Sequence, residues 1–178
     1  MTILLAGDIG GTSARLAYFE QANGRLRPLV EEVKRSHEYP SLQAAVLEFK
    51  NKHKYEVACA CFGVAGPVNE GRVEAPNLPW VIEAKVLERE LGLSKVYLIN
   101  DLEANAHGLT ELSEEDFAVL APGAVGAKGN GAVISAGTGL GEGRVAFEHR
   151  YPDWGLHVGE VDKGFDTVTA YYVKLRLI

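Results

Sequence analysis

The feature that most constrains this chain is a glycine turn between two apolar segments close to its start. The stretch LLAGDIGGTSARLAYF, residues 4–19, places Asp8 and two adjacent glycines between segments typical of β-strands. A strand that ends in a glycine turn exposes successive backbone N–H groups, which can surround an anion because no Cβ blocks its approach. The alternative is that Gly10 and Gly11 only form a tight hairpin.

A second glycine turn, VISAGTGLGEG at residues 133–143, repeats the arrangement. Because both turns follow an apolar strand, together they favour phosphate binding, with a polyphosphate held from both sides. Neither turn contains the Walker G-K-[ST] sequence or the G-x-G-x-x-G motif. Asp8 is also the candidate ligand of a divalent cation, directly or through water. The candidate phosphate-binding residues are Asp8, Gly10, Gly11, Thr12, Gly137, Thr138 and Gly139.

An Asn-Asp pair follows a buried strand in YLINDLEANAHGL, residues 97–109. The carboxyl end of such a strand is where α/β sheets bind ligands. The carboxylate of Asp101 can accept the proton of a hydroxyl group that attacks a phosphoryl group, and Asn100 can bind neighbouring hydroxyls. Asp101 can also simply cap the helix that follows, and the two roles are compatible.

Two further segments, GVAGPV and APNLPW, lie between these motifs. Gly63, Gly66 and Pro67 predict a rigid turn at the end of a buried strand. Asn77 and Trp80 either line a sugar pocket or fix a loop.

The order of predicted elements indicates an α/β fold. Strands are predicted at residues 3–6, 15–19, 29–34, 57–64, 72–75, 95–99 and 132–135, and helices at 41–52, 82–91 and 102–109. Strands that first run together and then alternate with helices predict a mixed sheet with helices packed on it. Residues 112–120 suit the start of a short helix, and the Gly/Ala loop at 121–131 is the best candidate for a domain boundary.

Composition excludes several classes of partner. The formal net charge is −6 and no block of Lys or Arg occurs, which argues against nucleic acid or a membrane surface. The chain contains no stretch of ~18 apolar residues, so no membrane span is predicted. The apolar run before Asp8 is too short for a secretory signal. Cys59 and Cys61, inside an apolar run, are predicted to be reduced structural thiols, which fits a cytoplasmic location. His53 and His107 are expected on solvated faces.

The motifs together resemble a known family. LAGDIGGTSARLA, GVAGPV, NLPW, LINDLEANAHGL and VISAGTGLGE resemble, in order, the signature segments of bacterial glucokinases, over residues 2–142. The resemblance implies the actin-like (ribonuclease-H-like) fold, with a small first domain at 1–120 and the first part of a second, similar domain at 131–178. It also implies transfer of the γ-phosphoryl group of ATP to the 6-hydroxyl of glucose with Mg²⁺. Asp101 matches the catalytic base and Asn100 a sugar-binding Asn, with Asn77 a further candidate for the sugar.

The chain departs from the family after the second glycine turn. Glu160 falls near the position of a sugar-binding Glu, but Val161, Asp162 and Lys163 replace the Gly-Gly-His that follows it in the family. Residues 166–178 resemble no family segment, and family members are much longer. We therefore expect a truncated chain with weak or no activity alone, whose uncovered sheet edges favour a homodimer or self-association.

Three alternatives remain at this level. One is a catalytically incomplete fragment that binds only nucleotide or sugar. Another is a related hexose or N-acetylhexosamine kinase. A sugar-responsive transcription regulator of the same fold is disfavoured, because two cysteines cannot supply the four ligands of a structural zinc site.

Overall fold

The computed structural model describes residues 2–22, 25–57, 59–74, 77–109, 112, 114–121, 131–136, 140–147, 156–159 and 170–173. They belong to two compact units, Met1–Asp101 and Leu102–Ile178. The domain division at 1–120 and 131–178 stays a prediction, because residues 122–130 lie outside the described part of the chain.

The elements follow in chain order. They are β1 (Thr2–Ile9), β2 (Ser13–Ala22), β3 (Arg25–Arg35), a 3-10 turn (Ser36–Glu38), α1 (Leu42–His53), β4 (Cys59–Val64), β5 (Arg72–Val73), β6 (Ile82–Glu83), α2 (Ala84–Leu91), β7 (Lys95–Asn100), α3 (Asp101–Gly108), a second 3-10 turn (Glu114–Asp116), β8 (Phe117–Ala121), β9 (Gly131–Ala136), β10 (Leu140–Phe147), β11 (Leu156–Gly159) and β12 (Ala170–Val173).

The first unit is built on a five-stranded sheet in the order β3-β2-β1-β4-β7. The first three strands form an antiparallel meander, whereas β4 and β7 join it in parallel. The register pairs Ile9 with Val64 and Val64 with Asn100. The carboxyl ends of three parallel strands therefore meet at one edge, and the predicted mixed α/β sheet is confirmed.

One face of this sheet is buried against helices. Tyr18 on β2 and Phe62 on β4 are fully buried, and the Tyr18 ring stacks on Phe49 of α1 with centroids 4.9 Å apart. Alternate strand residues point to the same face, which explains why this half of the apolar pattern forms the core. The chemistry-bearing residues lie at the strand ends, where the apolar pattern stops.

The sequence signals at α1 and α2 are largely confirmed. The Ser41 side chain caps α1 by accepting a hydrogen bond from the Ala44 N–H at 3.2 Å. The Nζ of Lys50 donates to the carbonyl of Leu91 at 2.5 Å, which joins α1 to the end of α2. The prediction that α2 begins at Ile82 was wrong by two residues, because buried Ile82 pairs with Val73 as a strand.

The prediction of a short helix start at 112–120 is confirmed only for its acidic residues. The acidic residues form only the 3-10 turn Glu114–Asp116, and the chain continues as strand β8. This strand pairs antiparallel with β12, where Tyr172 lies opposite Ala118. A long-range partner strand rich in aromatic residues decides this segment, which local composition alone cannot reveal.

The prediction that His53 lies on a solvated face was also wrong. Its Nε2 lies 2.7 Å from Glu32 Oε1, and both side chains are only 18% exposed. The same carboxylate accepts ion pairs from Lys52 and from the buried Lys34. The hydrogen bond from Lys52 contributes most to lowering the pKa of Glu32 to about 2, against the opposing effect of burial.

Glu32→Gln is therefore expected to lower the melting temperature at neutral pH. Because the folded-state pKa of Glu32 lies below the ordinary 4.5, its stabilisation is present above that value and is lost as pH falls toward about 2. Thermal unfolding from neutral to acid pH should show the variant and the wild type converging in that window. The exposed Glu56→Gln is the control, and a pH-independent difference for Glu32→Gln would contradict the assignment.

Candidate functional site

The candidate site lies where β1, β4 and β7 end at the same edge of the sheet. Asp8 is the penultimate residue of β1, and Asn100 is the last residue of β7. Asp101 follows as the first residue of α3. The parallel register brings these residues together although they are far apart in sequence. This is the edge at which open α/β sheets bind ligands.

The turn between β1 and β2 is fixed by hydrogen bonds to its carbonyl groups. The N–H of Gly10 donates to Ser13 O at 2.9 Å, which closes the turn. The hydroxyl of Ser36 donates to Gly10 O at 2.7 Å, and the N–H of Ser36 donates to Thr12 O at 3.0 Å. The turn is therefore a defined structure attached to the segment after β3.

Gly11 is required by the close approach of another backbone. A Cβ built on Gly11 would lie 1.8 Å from the carbonyl oxygen of Asn77. The NLPW segment therefore packs directly on the glycine turn, while Asn77 itself is exposed. Trp80 is buried and donates from Nε1 to Tyr39 O at 3.0 Å. For Trp80 the loop-fixing alternative is the one that the contacts support.

A second turn closes the same edge of the sheet. The N–H of Ala65 donates to Ile9 O at 3.0 Å, and the side-chain nitrogen of Asn100 donates to Gly66 O at 3.0 Å. Gly66 adopts a φ of 153°. Asn100 thus holds the GVAGPV turn against the end of β7, in addition to any ligand contact.

The pKa of Asp8 is set by its burial and by two charged neighbours. Asp8 keeps access to water, yet the protein packed around its carboxyl group removes enough solvent to raise its pKa above the ordinary value. Arg15, directly opposite on β2, lowers this pKa, whereas the charge of Asp101 raises it. Asp8 and Asp101 are therefore close enough to repel each other.

These oxygen donors fit a hard divalent cation better than a transition metal. Mg²⁺ is commonly bound through one or two carboxylates together with substrate phosphates, and a cation beside Asp8 would relieve its repulsion with Asp101. Within the described residues no group of three or more His, Cys, Asp or Glu side chains forms a metal cluster. Asp8 is the residue of this site that would hold the cation.

Asp8→Asn is expected to raise the melting temperature at neutral pH. A raised folded-state pKa means that the ionised carboxylate costs stability, and this cost appears as pH rises from about 3.8 through the raised value. Below that window the variant and wild type should have the same stability. Thermal unfolding from acid to neutral pH measures this effect, with Glu56→Gln as control. A variant that is less stable at neutral pH contradicts this prediction.

Some predicted site residues lie outside the described part of the chain, namely Gly137, Thr138, Gly139 and Glu160. The strands on either side of the second glycine segment are described, and Ala136 pairs with Leu140 in an antiparallel β9–β10 pair. The strand predicted at residues 132–135 is thus confirmed as part of β9. Neither Cys59 nor Cys61 is part of a disulfide bond, as expected.

The sequence did not single out Ser36 or Arg15, and it did not predict the contact between Gly66 and Asn100. Ser36 follows a strand without any motif around it, and Arg15 differs from an ordinary surface charge only by its position opposite Asp8. Gly66 was noted as a turn residue but not as the acceptor for Asn100. The alternation on β2 could have indicated Arg15, whereas the other two contacts depend on long-range packing.

Comparison with known proteins shows the family of this chain. The family model for glucokinase matches residues 5–160. The chain belongs to the glucokinase family. A glucokinase of Nostoc punctiforme is 37% identical over 145 residues, which are 80% of this chain and 42% of that protein. A glucokinase of a Synechocystis species is 38% identical over 149 residues, covering 78% of this chain and 42% of the relative.

Solved structures of glucokinases share the fold. The glucokinase of an Antarctic psychrotroph superposes with a TM-score of 0.75 at 26% identity, over 89% of this chain and 49% of that one. A glucokinase of the ROK family from Streptomyces griseus was solved with glucose and AMPPNP. It superposes with a TM-score of 0.58 at 24% identity, over 81% of this chain and 44% of that one. The predicted actin-like α/β fold is confirmed. This chain therefore spans less than half the length of these glucokinases.

None of the described helices is long and apolar enough to cross a membrane.

Proposed function

We propose that this chain carries the phosphoryl-transfer site of a glucokinase, which phosphorylates glucose to glucose 6-phosphate with ATP. The observation that carries the proposal is the meeting of Asp8, the Gly10–Thr12 turn and Asp101 at one sheet edge. Membership of the glucokinase family supports the choice of substrate and donor. A cytoplasmic location and a homodimer are part of the same proposal.

Asp101 is the proposed general base. Its carboxylate accepts the proton of the sugar 6-hydroxyl while the hydroxyl oxygen attacks the γ-phosphorus of ATP and the bond to the β-phosphate oxygen breaks. The position of Asp101 at the start of α3 also suits a negative charge, because the helix dipole is positive there.

The glycine turn is the proposed phosphate site. The backbone N–H groups of Gly11 and Thr12 and the hydroxyl of Thr12 donate to phosphate oxygens, with Gly137, Thr138 and Gly139 proposed for the second turn. Asp8 would hold Mg²⁺, which when bound would neutralise charge on the phosphates. Arg15 lies opposite Asp8 and lowers the pKa of that carboxyl group, while its guanidinium forms an ion pair with Glu31 at 3.1 Å.

Sugar binding is proposed for Asn100, Asn77 and Glu160. Asn100, whose side-chain nitrogen holds the carbonyl of Gly66, is assigned to a sugar hydroxyl at the end of β7. Asn77 is exposed beside the glycine turn, on the segment that Trp80 anchors. Together these residues would place the 6-hydroxyl close to Asp101, and such positioning supplies a large part of the rate enhancement.

The test is formation of glucose 6-phosphate by the purified chain with glucose and Mg-ATP, alongside calorimetric titration of each ligand. Turnover supports the proposal, and comparison of glucose with mannose, fructose and N-acetylmannosamine defines the sugar. Binding of nucleotide or sugar without turnover would favour the alternative of a catalytically incomplete fragment. The match to only 42% of a related glucokinase is consistent with that alternative. Absence of both binding and turnover would contradict the proposed function.

A further inference from the structure

One buried serine holds the glycine turn from the side of β3. Ser36 is fully buried, and among the residues whose burial the structure describes, only Lys34 and Ser36 are polar or charged and buried. Its hydroxyl donates to Gly10 O at 2.7 Å and its N–H donates to Thr12 O at 3.0 Å. Ser36 thus directs its hydroxyl and its backbone N–H to one turn, and loss of the hydroxyl is costly because the carbonyl of Gly10 would lose its partner in a buried place.

These contacts determine the direction of the neighbouring N–H group. In a trans peptide the C=O and the N–H point to opposite sides of the chain, and the described residues contain no cis peptide. Because Ser36 draws the carbonyl of Gly10 toward itself, the N–H of Gly11 points away from Ser36. The serine thereby sets the orientation of a donor that the turn can offer to an anion.

Ser36 is itself held by a fixed segment. The N–H of Tyr39 donates to Ser36 O at 3.3 Å, and Trp80 donates to Tyr39 O at 3.0 Å. The Tyr39 hydroxyl donates to Glu48 on α1 at 2.9 Å, and buried Lys34 pairs with the same carboxylate at 2.6 Å. Ser36 therefore connects the glycine turn to a segment that is itself fixed by hydrogen bonds to α1 and to Trp80.

We propose that Ser36 is a positioning residue that keeps the Gly10–Thr12 turn in the form that binds the phosphates of the nucleotide. This inference rests on the proposed function, because it assumes that the turn receives a phosphate group. Ser36 does not touch the nucleotide; it acts through the carbonyls of Gly10 and Thr12. Its effect should therefore appear in nucleotide affinity and leave glucose affinity unchanged.

The experiment compares Ser36→Ala, Ser36→Cys and Ser41→Ala in the full chain. Ser41→Ala is the matched control, because it removes a serine hydroxyl bond at the start of α1. Calorimetric titration with Mg-ATP should show affinity lowered about tenfold in Ser36→Ala, equivalent to about 1.4 kcal/mol. Ser36→Cys, whose thiol is a weak donor, should lie between Ser36→Ala and the wild type. Ser41→Ala should lower the melting temperature without changing the affinity for ATP.

A spectroscopic readout separates positioning from general destabilisation. The amide resonance of Gly11 in a heteronuclear correlation spectrum should shift in Ser36→Ala and stay in place in Ser41→Ala. Wild-type affinity for ATP in Ser36→Ala, or an unshifted Gly11 resonance, would overturn the positioning role and leave the proposed function intact. A wild-type chain that binds no Mg-ATP would instead overturn both.

Discussion

Asp101→Asn is expected to lower the rate of glucose 6-phosphate formation by about a hundredfold to ten-thousandfold, the usual contribution of a general base. The substitution keeps the size of the side chain and removes its ability to accept a proton. Because Asp101 is the first residue of α3, loss of its charge should cost the helix only about 0.3–1 kcal/mol. A large fall in kcat with only a small change in melting temperature would therefore separate the catalytic role from the role in the helix.

The control for Asp101→Asn is Glu103→Gln, which removes the same charge from the same helix two residues later, where the two side chains do not face each other. It should retain turnover. A second readout does not depend on activity: because the charge of Asp101 raises the pKa of Asp8, Asp101→Asn should lower that pKa in an NMR titration. Full turnover in Asp101→Asn would rule out Asp101 as the base, whereas an unchanged pKa of Asp8 would contradict their proximity.

Gly11→Ala is expected to abolish measurable binding of Mg-ATP and to lower stability by about 1–3 kcal/mol, the usual cost of overpacking. The new Cβ would lie 1.8 Å from Asn77 O, and backbone cannot rotate away as a flexible side chain can. Either the glycine turn or the NLPW segment must move. Since both border the candidate site, the variant should also bind glucose more weakly, as measured by calorimetric titration and denaturant unfolding.

Gly108→Ala is the matched control for this substitution. It adds the same methyl group where nothing lies within 4 Å, so stability and ligand binding should be close to those of the wild type. If Gly11→Ala bound Mg-ATP as tightly as Gly108→Ala does, the close packing of the two segments would have no bearing on nucleotide binding.

The local elements of the candidate site could be read from the sequence. The glycine turn after an apolar strand, the Asn-Asp pair after a buried strand and the Ser41 cap all depend on residues within a few positions of each other. Steric freedom of glycine, alternation on a strand and capping by serine act over that range. For the same reason the mixed sheet and most of its element boundaries followed from the sequence.

Only the tertiary structure decided which of these local features act together. The proximity of Asp8 and Asp101 requires the parallel register of β1, β4 and β7. The placement of Ser36 beneath the glycine turn requires β3 to pair with β2. Segment 117–121 became a strand because a distant strand pairs with it. Hydrogen bonds and charges between such segments depend on distances through space, and no local spacing in the chain encodes those distances.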